Sequence, residues 1–195
     1  MARGNSSYFH YIHFIAKRQR GFTLLELVIA VSVMSIMLAM AAPSFSQLIE
    51  TNKIKRLATE IEWLLVQAKS EAIMRGRNIY VSHLIGTGNQ WCLVVSESST
   101  DSNTCIDLPN NVIGKVDSQN FKLATFSSVG GAKKFYYEPI YGKPKSFPAN
   151  GHYSFSLGEY KFKTVLYSLT GRIYTCIVSP SNSSPTYKVG SYETC

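Results

Sequence analysis

The sequence predicts an α+β protein: a long N-terminal α-helical spine, transmembrane in its first half and amphipathic in its second, packed on an antiparallel β-sheet globular domain. Three observations carry that expectation. From Phe22 to Ala42 the chain is apolar except at Thr23, Glu26, Ser32 and Ser35; a helix rising about 1.5 Å per residue over such a run spans a bilayer core of roughly 30 Å. From Phe45 to Ala72 the apolar residues recur mostly every three or four positions, which is one face of a helix. Beyond Gly76 the composition turns to strand formers punctuated by Gly, Asn, Ser and Pro.

The elements follow in order. Arg3, Lys17, Arg18 and Arg20 precede the apolar run, and no acidic residue does. Positive flanks stay cytoplasmic, so the expected topology is a single pass through a membrane with the C-terminal domain facing the periplasm or exterior. Those four residues supply half of the net charge of +8, and the mildly basic remainder does not by itself imply nucleic acid. A secretory signal peptide is the competing reading, since Ala39, Ala41 and Ala42 supply small residues before Pro43. Its apolar region should span only about 7–15 residues, however, and it has no use for Glu26. An ionisable group at membrane depth costs roughly 2.5–3.5 kcal/mol even on lenient scales, so Glu26 calls for a function.

Arg20-Gly21-Phe22-Thr23-Leu24-Leu25-Glu26 resembles the processing motif of type IV pilins and type II secretion pseudopilins. The resemblance implies a pilin fold and a leader, residues 1–21, cut by the prepilin peptidase after Gly21. Phe22 then becomes the N-methylated first residue, and Glu26 an assembly residue that pairs with the terminal amine of a neighbouring subunit. The chemistry agrees: cleavage creates an ammonium at Phe22, and a carboxylate paired with it offsets part of the desolvation of both. Within one helix the two groups are about one turn apart, so an intrachain pair and an intersubunit pair both remain open. Residues 22–43 form the transmembrane assembly helix on this reading, residues 44–76 the amphipathic helix, and residues 77–195 the β-rich periplasmic domain.

In the amphipathic half Phe45, Leu48, Ile49, Ile54, Leu57, Ala58, Ile61, Leu64, Leu65, Ala68 and Ala72 are the expected apolar face, with Glu50, Lys53, Lys55, Glu60 and Lys69 on the wet side. Pro43 should kink or restart the helix, and Gly76 is the first strong stop. Its last turns, Gln67 to Arg77, resemble an ARSEAI-like phrase of the GspH/FimT branch of the family, with Lys69 in place of the usual arginine. Packing alone also accounts for small residues at Ala68 and Ala72.

The expected strands are Ile79–Ile85, Trp91–Ser96, Phe121–Val129, Lys134–Tyr137, Tyr153–Leu157, Lys163–Leu169 and Arg172–Val178, with a tight hairpin at Thr170-Gly171. The cysteines, Cys92, Cys105, Cys176 and Cys195, all follow the apolar run. An even count without metal-ligand spacing points to disulfides in an oxidising compartment. Pairing sequence neighbours, Cys92 with Cys105 and Cys176 with Cys195, is favoured, and two other connectivities stay open.

No catalytic residue, metal ligand or cofactor is expected. His83 and His152 are not at ligand spacing, there is no Walker loop or G-x-S-x-G elbow, and Gly86-Thr87-Gly88 reads as a turn. Lysines interleaved with aromatic residues from Lys133 to Lys163 make double-stranded DNA a candidate partner, with Lys143, Lys145, Lys161, Lys163 and Arg172 as its contacts. Alternating charge-out and ring-in along strands explains much of the same pattern. Some FimT-like pilins serve DNA uptake through a basic phrase beginning Gly-Arg, and Gly171-Arg172-Ile173-Tyr174 keeps its first arginine. The expected function is that of a minor pilin that initiates or caps a type IV pilus. Its expected partners are other major and minor pilins, the prepilin peptidase, the inner-membrane assembly platform and the lipid. The alternatives are a DNA-binding minor pilin for natural transformation and a GspH-like pseudopilin of type II secretion.

Overall fold

The computed structural model describes residues 21–99, 104–106, 108, 110–146, 150–178 and 189–195, without the side chains of residues 41–44 and 128. The expected leader, residues 1–21, lies outside them except for Gly21. Helix α1 runs Leu24–Arg75. Nine strands follow: β1 Ile79–Ile85, β2 Trp91–Ser96, β3 Val112–Asp117, β4 Thr125–Gly130, β5 Lys134–Tyr137, β6 Pro144–Lys145, β7 Gly151–Leu157, β8 Tyr160–Leu166 and β9 Ile173–Ile177. The chain divides into two compact units, Met1–Pro43 and Ser44–Cys195.

In the first unit residues 21–40 are all exposed. Thr23 caps the helix: its Oγ1 accepts from the Glu26 N–H at 3.2 Å, and its carbonyl accepts from the Leu27 N–H at 3.1 Å. Thr23-x-x-Glu26 is the sequence of a capping box, and a carboxylate in the first turn is favoured by the helix dipole. Glu26 is therefore well placed within its own helix, before any partner is considered. By length and composition the helix can cross a membrane, its apolar 18-residue window having a mean hydropathy of 2.4.

In the second unit the helix supplies one wall of the core. Ile54, Leu57, Ala58, Ile61, Leu64, Leu65, Ala68 and Ala72 are buried at the expected spacing. Phe45, Leu48 and Ile49, expected on the same face, are exposed instead. Burial of the helix begins only at Ile54, where its side chains join the common core with the strands.

Two antiparallel sheets complete the core, ordered β3-β2-β1-β5-β6 and β4-β7-β8-β9. The first contributes Ile79, Val81, Trp91, Leu93, Val95, Val116, Phe135 and Tyr137. The second contributes Tyr153, Phe155, Leu157, Phe162, Leu166 and Ile177. Strand β7 alternates strictly between buried and half-buried residues, as expected for a sheet with one wet face. Strand β2 is buried on both faces because Leu84, Cys92 and Val94 pack under a second, smaller apolar cluster with Cys105, Leu108 and Val112. Burying each large side chain fully contributes about 1.5–3 kcal/mol.

Several strands differ from expectation. β3 is a pairing partner of β2 that interrupts its own apolar run with Gly114 and Lys115, and a Cβ at Gly114 would lie 2.7 Å from Leu64 Cδ1. β6 is two residues long and begins with proline. Phe121 is not in β4: the chain from Phe121 to Ala124 closes a turn, and the Ala124 carbonyl accepts from Trp91 Nε1 at 2.8 Å. β8 ends at Leu166 rather than Leu169, because Tyr167 and Arg172 close a wider loop through the bonds Tyr167 N–H to Arg172 O and Gly171 N–H to Tyr167 O. Leu169, at the tip of that loop, is exposed. Cys92 is bonded to Cys105 and Cys176 to Cys195. The second bond ties the C-terminal residues to β9, where Ile177 also pairs with Thr194.

Candidate functional site

At the N-terminal motif, residues 21–23 precede the helix and are exposed. Among the described residues, a side chain at Gly21 would meet nothing within 4 Å. Because the helix starts only at Leu24, the Gly21–Phe22 bond lies in unwound backbone, the form a peptidase must grip. Phe22 is 77% exposed, and Glu26 sits one turn further on.

The basic candidates do not form one cluster. Lys143 and Arg172 are brought side by side where Gly142 and Gly171 cross: a Cβ on Gly171 would lie 2.8 Å from the Gly142 carbonyl and 3.6 Å from Lys143 Cα. Both glycines have positive φ, so side chains there would be strained as well as crowded. Lys69 holds the crossing by donating from Nζ to the Gly171 carbonyl at 3.1 Å. That contact gives Lys69, expected on the wet side, a role in fixing the β8–β9 loop. Lys143 lies over Tyr141 at 5.1 Å, Arg172 over Tyr174 at 5.7 Å, and Tyr174 stacks on Tyr167 at 5.9 Å.

Lys145 stands apart in β6, paired with Glu138 at 3.4 Å. Lys161 and Lys163 belong to β8, where they register with Ser156 and Ser154 of β7, on the side away from buried Phe162 and Thr164. At the C-terminal end of the helix, Glu97 takes Arg75 and, at 3.2 Å, Arg77, while Arg75 also pairs with Glu71. These exposed pairs contribute at most about 1 kcal/mol each.

His83, read from the sequence as packing or surface, is 1% exposed, and neither ring nitrogen has a hydrogen-bond partner among the described residues. Its ring lies 4.7 Å from Phe126 and 6.2 Å from Tyr153. Burial, with Lys133 adding repulsion, lowers its pKa to about 4. The signal available in the sequence was position alone: Ile79, Val81 and His83 alternate onto the core face of β1.

Two family models match the chain. The prokaryotic N-terminal methylation motif covers residues 16–42, and the model described as type II transport protein GspH covers residues 57–171. The chain belongs to the GspH family. It is a type IV pilin-like protein in which a methylation motif heads an apolar, membrane-anchoring helix. Two curated fimbrial proteins of Pseudomonas aeruginosa are each 34% identical to it over 83 residues, which is 43% of this chain and 53% of theirs. The chain thus spans about half the length of the curated relatives it matches. A crystal structure of the Pseudomonas aeruginosa type IV minor pilin FimU is 18% identical, covering 66% of this chain and 94% of that one with a TM-score of 0.45.

The buried imidazole makes stability depend on pH. Unfolded, it takes a proton near 6.5; folded, only near 4. Its contribution is therefore fully present above pH 6.5 and is lost as pH falls toward 4, by about 3 kcal/mol over the whole window. His152, whose pKa is lowered chiefly by burial, acts with the same sign. Urea unfolding at a series of pH values should show His83→Gln with a distinctly shallower loss between pH 6.5 and 4 than the parent. Parallel curves would show that the imidazole is not held neutral.

Proposed function

We propose that the chain is a minor type IV pilin, cut after Gly21 and N-methylated at Phe22. On this reading it is anchored in the inner membrane with its C-terminal domain in the periplasm. It enters the filament by its N-terminal helix to initiate or cap a pilus. The observation that carries the proposal is the exposed helix start: a cleavable Gly21–Phe22 bond outside the first turn, Glu26 one turn on, and an apolar surface uncovered through residue 40.

Lipid covers such a surface before assembly, and the helices of other pilins cover it afterwards. Further along α1 the exposed Trp63, Val66, Ile73 and Met74 extend the apolar surface available to neighbouring subunits. Release from lipid is easier if Glu26 meets an ammonium, because an unpaired carboxylate would be carried through a low-dielectric environment. The prepilin peptidase and the inner-membrane assembly platform are the partners this route requires.

A type II secretion pseudopilin uses the same chemistry, and the description of the matching family model favours considering it. Loss of pili on deletion supports the pilus reading; intact pili with blocked exoprotein release support secretion. The placement of Lys143 beside Arg172, each over a tyrosine, supports a further role in holding double-stranded DNA. Its mark is a gel shift with the full chain that weakens with salt and with the double change Lys143→Gln, Arg172→Gln. An unchanged shift removes those residues from the role.

For the main reading, Gly21→Leu should leave the chain at its precursor size on immunoblots. Glu26→Ala should still be processed, yet fall about tenfold or more in sheared filament fractions, the factor matching about 1.4 kcal/mol. Normal incorporation of Glu26→Ala would remove the reason given for that carboxylate.

A further inference from the structure

Two hairpin loops, one from each sheet, are built alike. Glu138-Pro139-Ile140-Tyr141-Gly142-Lys143 joins β5 to β6, and Tyr167-Ser168-Leu169-Thr170-Gly171-Arg172 joins β8 to β9. In each loop the N–H of the opening residue donates to the carbonyl of the closing one, at 3.0 Å in both. The glycine N–H donates back to the opening carbonyl, at 3.0 Å from Gly142 and 2.9 Å from Gly171. Both glycines take the left-handed conformation, with φ of 61° and 63°. Each loop carries a large aliphatic at its tip, Ile140 or Leu169, and a cation at its close, Lys143 or Arg172. We propose that this pair of loops docks on the surface of an anionic phospholipid bilayer. Such docking needs a bilayer within reach of the loops and nothing of the filament reading.

The aliphatic groups are accessible. Ile140 is 75% exposed, Leu169 81% and Tyr141 67%. A single exposed aliphatic needs no explanation, but a contiguous apolar patch marks a surface with a partner. Here the crossing of Gly142 with Gly171 holds the two loops together, with only 2.8 Å between the Gly142 carbonyl and a Cβ placed on Gly171. Ile73 of the helix joins them, since a Cβ on Gly142 would lie 2.8 Å from its Cδ1, and it too is partly exposed.

The cations select the kind of surface. Among the described residues neither Lys143 nor Arg172 forms a salt bridge. The one acid of the two loops, Glu138, is taken by Lys145. Free positive charge beside aliphatic tips is the composition that binds anionic lipid, with apolar groups reaching the acyl boundary and Lys or Arg held at the headgroups. Tyr141 and Tyr174 lie under the two cations, and tyrosine rings favour that same headgroup level. Contact with the phosphates of duplex DNA would use the cations but leave Ile140 and Leu169 in water.

The test places the full chain in phosphatidylcholine nanodiscs and floats them with protein-free vesicles. Vesicles of equal phosphatidylcholine and phosphatidylglycerol should carry the nanodiscs upward, and vesicles of phosphatidylcholine alone should not. The double change Lys143→Gln, Arg172→Gln should weaken capture about thirtyfold at low salt, as for two lost headgroup contacts. Ile140→Ser with Leu169→Ser should weaken it about tenfold or more. The leader's cations are common to every chain compared, so the differences report the loops, and an unchanged urea midpoint shows that each variant folds. Equal capture by neutral and anionic vesicles would overturn the proposal. So would capture that Ile140→Ser with Leu169→Ser leaves unchanged, the result expected if the cations serve phosphate alone, as on DNA. Absence of capture by either vesicle would also overturn it and leave the tips to a protein partner.

Discussion

Helix α1 has to satisfy two surroundings at once, and the rest of the molecule is arranged around that demand. Over residues 24–40 its apolar side chains are exposed on every side, and among the described residues nothing covers them. From Ile54 to Ala72 a single stripe is fully buried and serves as the common wall for two sheets. Without that stripe Phe155, Phe162 and Tyr153 on one sheet, and Val81, Leu93 and Val95 on the other, would lose a shared face. The small residues Ala58, Ala68 and Ala72 let strand side chains approach the helix closely, and the large ones fill the space between.

Long side chains of the helix then set the position of the loops. Lys69 reaches the Gly171 carbonyl, Lys55 approaches Gly190, and Glu50 approaches Gly158, so three separate turns lie close against one helix. At each of these turns the glycine has positive φ, and any Cβ would collide with the approaching group or its neighbour. The loops that carry Lys143 and Arg172 are positioned this way. Surface chemistry at the rim thus depends on packing along the helix.

The architecture was legible because periodicity is local. The stripe at Ile54, Leu57, Ala58, Ile61, Leu64 and Leu65 declares itself every three or four residues, and β1, β2 and β5 have the expected bounds. What was not legible depended on partners distant in sequence. β3 has too little apolar pattern to stand alone and becomes a strand because β2 offers it an edge. β6 does so because β5 does. Phe45, Leu48 and Ile49 have helical spacing like the rest, but spacing does not say where the sheets end. In the candidate sites, the Gly21–Phe22–Glu26 motif could be read from contiguous residues. The capping by Thr23 also has a signal in the sequence, Thr-x-x-Glu. The meeting of Lys143 with Arg172 arises from tertiary contacts alone, and no spacing rule announces it.

The central claim is that this helix begins as a cut, modified terminus instead of as the inside of a signal peptide. Mass spectrometry of the N-terminal peptide of the chain recovered from membranes tests it directly. The expected result is a peptide that starts at Phe22 and is heavier than its sequence by one CH2, the net gain when a methyl group replaces an amine hydrogen. A chain that begins just after Ala42, or one that retains Gly21, would contradict the account.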